Sequence, residues 1–254
     1  MTELDIHFWL TMALLALAVA VFVVLQFVTA PYGKFTRAGW GPKINRTAGW
    51  VVQEAPSVLI FAWCFAVSDR TTDPLAIVFL VMWLVHYGNR TFVFPFRLRG
   101  GRSNMTLLPF LMAIVFTAAN GYINGRWLYT LGPAYPASWW LDPRFIGGTA
   151  LFVLGFAINQ HSDWVLIRLR KPGESGYKIP RGGAFELVSC ANYLGELLEW
   201  TGWAVGTWSL PGLAFAAFTA ANLIPRARAQ HRWYIETFGV EYPERRRAVI
   251  PFVY

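Results

Sequence analysis

The chain is laid out as long apolar runs separated by short basic or aromatic segments. A helix needs roughly 20 predominantly apolar residues to cross a bilayer. Seven runs approach that length and predict spans near 8–30, 51–68, 74–94, 105–125, 145–167, 184–204 and 207–225. The last two are nearly continuous, which predicts an antiparallel helical hairpin. The segment 126–144 is rich in Trp, Tyr and Pro, as at a membrane–water interface. From Arg226 the chain turns polar and ends in I-P-F-V-Y. This tail is expected to form a cytoplasmic helix followed by an extended end packed back on the bundle. Its apolar and aromatic content argues against a disordered basic tail.

Composition agrees with this pattern. Of 254 residues only 14% are charged and 56% are hydrophobic, against about 25% charged in a soluble domain. The expected fold class is therefore an all-α polytopic membrane protein of seven transmembrane helices, forming a single domain over residues 1–254. The net charge of +8 does not point to nucleic acid, because the basic residues lie between the apolar runs. Eighteen of the 22 Lys and Arg residues fall on one set of loops and the tail, and Arg70, Arg126 and Arg144 fall on the other. The basic side is the cytoplasmic one, so seven spans place the N-terminus outside and the C-terminus in the cytoplasm. Glu3 and Asp5 stand where a signal peptide would carry Lys or Arg, and the run to Ala30 is too long for its apolar core. A retained first span is expected. Cys64 and Cys190 lie within apolar runs and read as buried thiols.

Polar residues inside the runs are the candidates for chemistry, because such groups at membrane depth face a bundle interior or a wet cavity. Asn159, Asp163 and Arg170 share one helical face near the end of the fifth run, and Asn192, Glu196 and Glu199 share one face of the sixth. Between them runs a basic loop punctuated by Pro and Gly. Amides and carboxylates on a wall, with cations at its mouth, suit a ligand that has an anionic part and a hydroxyl-rich part, such as a nucleotide. The same residues also suit a helix–helix hydrogen-bond network edged by snorkelling Lys and Arg. Gln53 and Glu54 open the second run, with Pro56 expected in its first turn. If Glu54 is dehydrated its acid form is favoured; the alternative is an interfacial carboxylate at a helix N-terminus. In the third run His86 and Arg90 are one turn apart, with Tyr87 on an adjacent face. A Tyr hydroxyl and a protonated Glu together make an electrophilic site for a carbonyl oxygen. No dinucleotide-binding glycine motif, phosphate loop or Cys/His metal spacing is present, and no metal site is expected. The Gly pairs at 121 and 125 and at 202 and 206 match a helix-packing motif, but in helices this rich in Gly they read as chance.

The chain resembles the steroid 5α-reductase (3-oxo-5-alpha-steroid 4-dehydrogenase) family, and within it the type 2 form. The resemblance is most specific in N-x-H-S-D from Asn159, L-R-K-P-G-E from Leu169, Y-x-I-P-x-G-G-x-F from Tyr177 and A-N-Y-L-G-E-x-x-E-W from Ala191. The tail E-Y-P…R-x-A-x-I-P-F matches as well, with weaker matches at Pro31–Lys34, Gln53–Ser57 and His86–Val93. It implies a seven-helix membrane enzyme in which NADPH reduces the 4,5 double bond of a 3-oxo-Δ4 steroid. By this resemblance Glu54 and Tyr87 hold the C3 carbonyl oxygen and Gln53 supports them. Hydride passes to C5 and the resulting enolate is protonated at C4. The cofactor side draws on Asn159, Asp163, Arg170, Tyr177, Asn192, Glu196, Arg226, His231 and Tyr234, with Arg99 and Arg102 over the phosphates. Tyr32, Trp200 and Arg90 belong to the substrate pocket. Lys178 and Gln230 depart from the family pattern.

A monomer is the default expectation, in either a bacterial inner membrane or the endoplasmic reticulum membrane, with the cofactor site facing the cytoplasm. Competing readings are a reductase of another activated alkene (an enoyl thioester or a sterol), a membrane methyltransferase, and a non-catalytic sterol-binding protein. The front-half motifs at Gln53 and His86 favour the steroid branch.

Overall fold

The computed structural model describes residues 1–98, 104–169, 174 and 176–254. It is predominantly helical: α1 Glu3–Phe27, α2 Arg46–Ala66, α3 Pro74–Gly88, α4 Phe94–Arg97, α5 Leu107–Arg126, α6 Pro143–Arg168, α7 Ala191–Thr207 and α8 Leu210–Phe238. Short strands β1 Lys43–Asn45 and β2 Asn104–Thr106 pair antiparallel. Helix starts follow the local chemistry. The side chains of Asn45, Asp73, Asp142 and Ser209 each accept a backbone N–H of the following turn, and proline occupies the first turn of α3, α6 and α8, where its missing N–H costs nothing. π-helical turns at Asn89–Val93 and Trp127–Leu131 extend α3 and α5.

Among the described residues, five helices are long and apolar enough to cross a membrane: Glu3–Phe27, Arg46–Ala66, Pro74–Arg97, Leu107–Leu131 and Pro143–Arg168. They correspond to the first five expected spans. The sixth expectation shifts. Residues 183–186 form a 3₁₀ turn, and α7 starts only at Ala191 and has 17 residues. The seventh run continues without a break into the expected tail helix, giving one 29-residue helix, α8.

The chain divides into two compact units, one of Met1–Thr11 with Pro31–Leu141, the other of Met12–Ala30 with Asp142–Tyr254. In the first unit α5 packs on α2 along a glycine edge: a Cβ on Gly125 would stand 2.9 Å from Cys64 Cβ, and one on Gly121 would stand 3.4 Å from Ser57 Cα. Phe61 stacks on Trp83 of α3 at 4.3 Å. The start of α1 is fixed to α5 by a contact of 2.8 Å between His7 Nε2 and the Ile123 carbonyl, and by the Glu3–Arg126 ion pair at 2.7 Å.

In the second unit α6 and α7 run antiparallel with their backbones in contact. A Cβ on Gly148 would lie 2.3 Å from Gly206 N, one on Gly155 2.3 Å from Glu199 N, one on Gly195 2.4 Å from Asn159 N, and one on Gly202 2.4 Å from Phe152 N. Gly125 and Gly202 are therefore close-packing positions and not chance, because a Cβ there would meet backbone or the foot of a facing side chain, whereas one on Gly121 or Gly206 would make ordinary contact. Helices α7 and α8 form the expected antiparallel hairpin through Trp208 and Ser209, with Trp208 left-handed at φ 43°. The tail returns as expected: Ser189 N donates to Arg247 O at 2.8 Å and Cys190 N to Ala248 O at 3.1 Å. Ala248 and Val249 are buried against Cys190 and Ala227.

Candidate functional site

In the first unit the site residues sit on α2, on α3 and on its π-helical extension. Helix α2 begins five residues earlier than its apolar run, because Asn45 caps it. Pro56 therefore lies in the helix interior and not in its first turn, and Glu54 lies more than two turns from the N-terminus. The reading of Glu54 as a terminal carboxylate is set aside, since the dipole acts within the first turn. Gln53 is buried, and its Nε2 donates to Glu54 Oε1 at 3.4 Å. Tyr87 is 4% exposed and packs on Trp83 at 4.9 Å and edge-on to His86 at 5.0 Å. Trp83 Nε1 donates to the Ser57 carbonyl of α2 at 2.9 Å, which ties the helix of Tyr87 to the helix of Glu54. Arg90 is half-buried between two ring faces, Trp50 at 4.9 Å and Phe94 at 4.7 Å. Cation–π contact of this kind partly offsets the loss of water around a guanidinium. Tyr32 is half-buried at the start of a 3₁₀ turn, Gly33–Phe35.

In the second unit the glycine contacts bring the two expected polar faces together at one point. Asn159 Nδ2 donates to the Asn192 carbonyl at 3.0 Å. Asn159 and Asp163 are 1% and 5% exposed, and Glu199 is fully buried. Asn192 and Glu196 are half-buried on α7. Ser162, fully buried beside Asp163, has an Oγ with no hydrogen-bond partner among the described residues. Trp200 is enclosed by Phe152, Phe215 and Trp203. Arg226 is buried; its Nε donates to Tyr193 OH at 2.9 Å and its Nη1 to Ala30 O at 3.3 Å. Tyr234 is buried and stacks on Tyr242 at 5.3 Å. Tyr177 is exposed and meets Trp233 edge-on at 4.8 Å. Arg99, Arg102 and Arg170 lie outside the described residues.

Three partners escaped the sequence reading. Ser189 Oγ is 2.5 Å from His231 Nδ1 and 2.5 Å from Tyr242 OH, so it joins the turn before α7 to α8 and to the tail. Tyr193 supports Arg226. Ser189 and Tyr242 carry no local signal, whereas Tyr193 adjoins Asn192 and invites the same scrutiny. Burial, aided by the positive charge of Arg247, holds the His231 imidazole below its ordinary value. The preceding loop is fixed by charge. Arg246, with no exposed side-chain surface, donates to Pro180 O at 2.8 Å and meets Glu186 at 3.4 Å. The Gly182 N–H, more than Arg246, holds the Glu186 carboxyl below the usual carboxylate range.

Residues 103–254 match the family model described as 3-oxo-5-alpha-steroid 4-dehydrogenase. The chain is 46% identical over 242 residues to 3-oxo-5-alpha-steroid 4-dehydrogenase 1 of Bos taurus, covering 94% of this chain and 93% of that one. It is 44% identical over 237 residues to steroid 5-alpha-reductase DET2 of Arabidopsis thaliana, covering 91% and 90%. Against 3-oxo-5-alpha-steroid 4-dehydrogenase 1 of Homo sapiens it is 43% identical over 241 residues.

Proposed function

Because the chain belongs to the 3-oxo-5-alpha-steroid 4-dehydrogenase family, we propose that it reduces the 4,5 double bond of 3-oxo-Δ4 steroids of the testosterone or progesterone type, giving 5α-dihydro steroids. The observation that carries this reading is the join of α2 to α3. Glu54 with its Gln53 partner, and Tyr87 on its Trp83 support, are linked through the Ser57 carbonyl, in a chain that matches steroid reductases over nine tenths of its length.

Glu54 and Tyr87 donate to the C3 ketone oxygen, and the Gln53 amide holds Oε1 of Glu54 so that the acid proton sits on Oε2. Two donors aimed at an oxygen that gains charge as the double bond is reduced stabilise the transition state more than the ground state. Arg90, held by Trp50 and Phe94, and Tyr32 contribute to steroid binding from the first unit, and Trp200 from the second.

NADPH, when bound, supplies the hydride for C5. The donor set of the second unit fits such a cofactor: amides and carboxylates, buried at Asn159 and Asp163 and half-buried at Asn192 and Glu196, suit ribose hydroxyls and a carboxamide, and the Ser162 hydroxyl is buried without a partner among the described residues. Tyr177, Arg226, His231 and Tyr234 complete the binding set, with Arg99, Arg102 and Arg170 for the phosphates. The chain acts as one domain with seven spans, α7 and the first part of α8 being the last two. Its N-terminus is outside and its cofactor side cytoplasmic, as the bias of basic residues supports. The bilayer is a bacterial inner membrane or the endoplasmic reticulum membrane, and the working form is a monomer.

The test is to purify the protein in detergent, add NADPH and testosterone or progesterone, and identify the product by mass spectrometry against standards. NADPH-dependent 5α-dihydro product is expected. Absence of product with NADPH still bound would redirect the reading to another activated alkene, and absence of NADPH binding in folded protein would sink it.

A further inference from the structure

The turn of α2 that carries Gln53 and Glu54 also carries Pro56. A proline inside a helix donates no hydrogen bond, and its ring crowds the carbonyl four residues back, here that of Val52. This turn is therefore the least self-supported part of α2. In membrane helices such breaks are tolerated where a neighbouring side chain takes over the backbone groups.

Thr117 of α5 braces the neighbouring carbonyl of the same turn, that of Gln53. Its Oγ1 lies 2.6 Å from the Gln53 carbonyl and 3.1 Å from the Ile114 carbonyl of its own helix. A hydroxyl has one proton to donate, and the shorter distance assigns it to Gln53. In the reverse direction Ser57 Oγ donates to the Thr117 carbonyl at 3.3 Å. Both ends of the Gln53–Ser57 turn are thus tied to one residue. Thr117 is 4% exposed and Ser57 fully buried, so water does not compete for these bonds. Gly121, one turn beyond Thr117, faces the same turn of α2, where an added Cβ would be in contact with Ser57 Cα at 3.4 Å. The Ser57 carbonyl in turn accepts from Trp83, against which Tyr87 packs.

We infer that Thr117 is a positioning residue for steroid reduction: it fixes the Pro56 turn so that the Glu54 acid and its Gln53 partner meet the ketone oxygen. The inference rests on the proposed role of Glu54. Thr117 touches neither the acid nor the substrate; it acts through the backbone. Donor groups must be held within fractions of an ångström for such catalysis, so a small relaxation of this turn lowers turnover before it unfolds the protein.

Thr117→Val removes the hydroxyl at nearly constant volume. In the purified full-length protein, kcat for steroid reduction is expected to fall about threefold to tenfold, the scale of one lost hydrogen bond. NADPH affinity, read by tryptophan quenching, is expected to stay at its wild-type value, and Thr117→Ser to restore kcat. In a Glu54→Gln background Thr117→Val should add no further loss. A wild-type kcat with only a lowered melting temperature, or a full additional loss in the Glu54→Gln background, overturns the inference. Wild-type turnover by Glu54→Gln alone overturns the role of Glu54 as well, which separates the two failures. Should Thr117→Val give no folded protein, Ser57→Ala removes the reverse bond and is judged by the same outcomes.

Discussion

The Asn159 amide of α6 donates to the Asn192 carbonyl of α7 across 3.0 Å, beside the point where a Cβ on Gly195 would stand 2.4 Å from Asn159 N. The close approach of two backbones and the meeting of two polar faces are the same event. Without glycine at 195 the helices would stand further apart, and an amide side chain would not span the gap.

Gly155→Ala and Gly195→Ala should each destabilise the protein by about 1–3 kcal/mol, the usual cost of overpacking a tight contact. The added methyl meets backbone, which cannot rotate away. Thermal unfolding in detergent reads the loss, and NADPH affinity should fall with it, because both substitutions push Asn159 away from α7. Gly147→Ala is the control, since nothing lies within 4 Å of a Cβ there.

Losing the acid, in Glu54→Gln, or a donor outright, in Tyr87→Phe, should be felt in turnover. Glu54→Gln and Tyr87→Phe are each expected to lower kcat by about 10²- to 10³-fold while leaving NADPH affinity in place. Wild-type rates in both variants would show that neither group holds the oxygen.

Arg226 is a buried cation whose Nε is met by the Tyr193 hydroxyl. Tyr193→Phe deletes that acceptor at constant ring volume. The dissociation constant for NADPH should rise about threefold to tenfold, measured by fluorescence titration, and the steroid KM should change little.

His231 is held below its ordinary imidazole value of 6.5 by burial and by Arg247. Below that pH the unfolded chain binds the proton more readily than the folded one, so falling pH favours unfolding. The stability contributed by His231 is complete above about 6.5 and is lost as pH drops through the folded value. The melting temperature should therefore decline from about pH 7 to about pH 5, and His231→Gln should flatten that decline. Ser189→Ala removes the hydroxyl shared by His231 and Tyr242. It should make the 239–254 tail cleavable by protease at lower enzyme concentrations than in wild type.

The membrane class, the first five spans, the returning tail and the family were legible in the sequence, because apolar run length, the bias of Lys and Arg and short motifs are local or compositional signals. Tertiary structure alone decided the rest. Helix α7 begins at Ala191 and not near 184, because Arg246 and Glu186 hold residues 180–186 as a loop from 60 and more positions apart. Pro56 lies inside α2 because Asn45 caps the helix upstream of the apolar run. Gly202 counts as a packing position only once Phe152 and Gly148 face it. Thr117 drew no notice in the sequence, since its acceptor at Gln53 is 64 residues away. A hydrogen bond to a backbone carbonyl requires a hydroxyl at the right height on the facing helix, and that height is set by how the two helices pack and not by any pattern within either one.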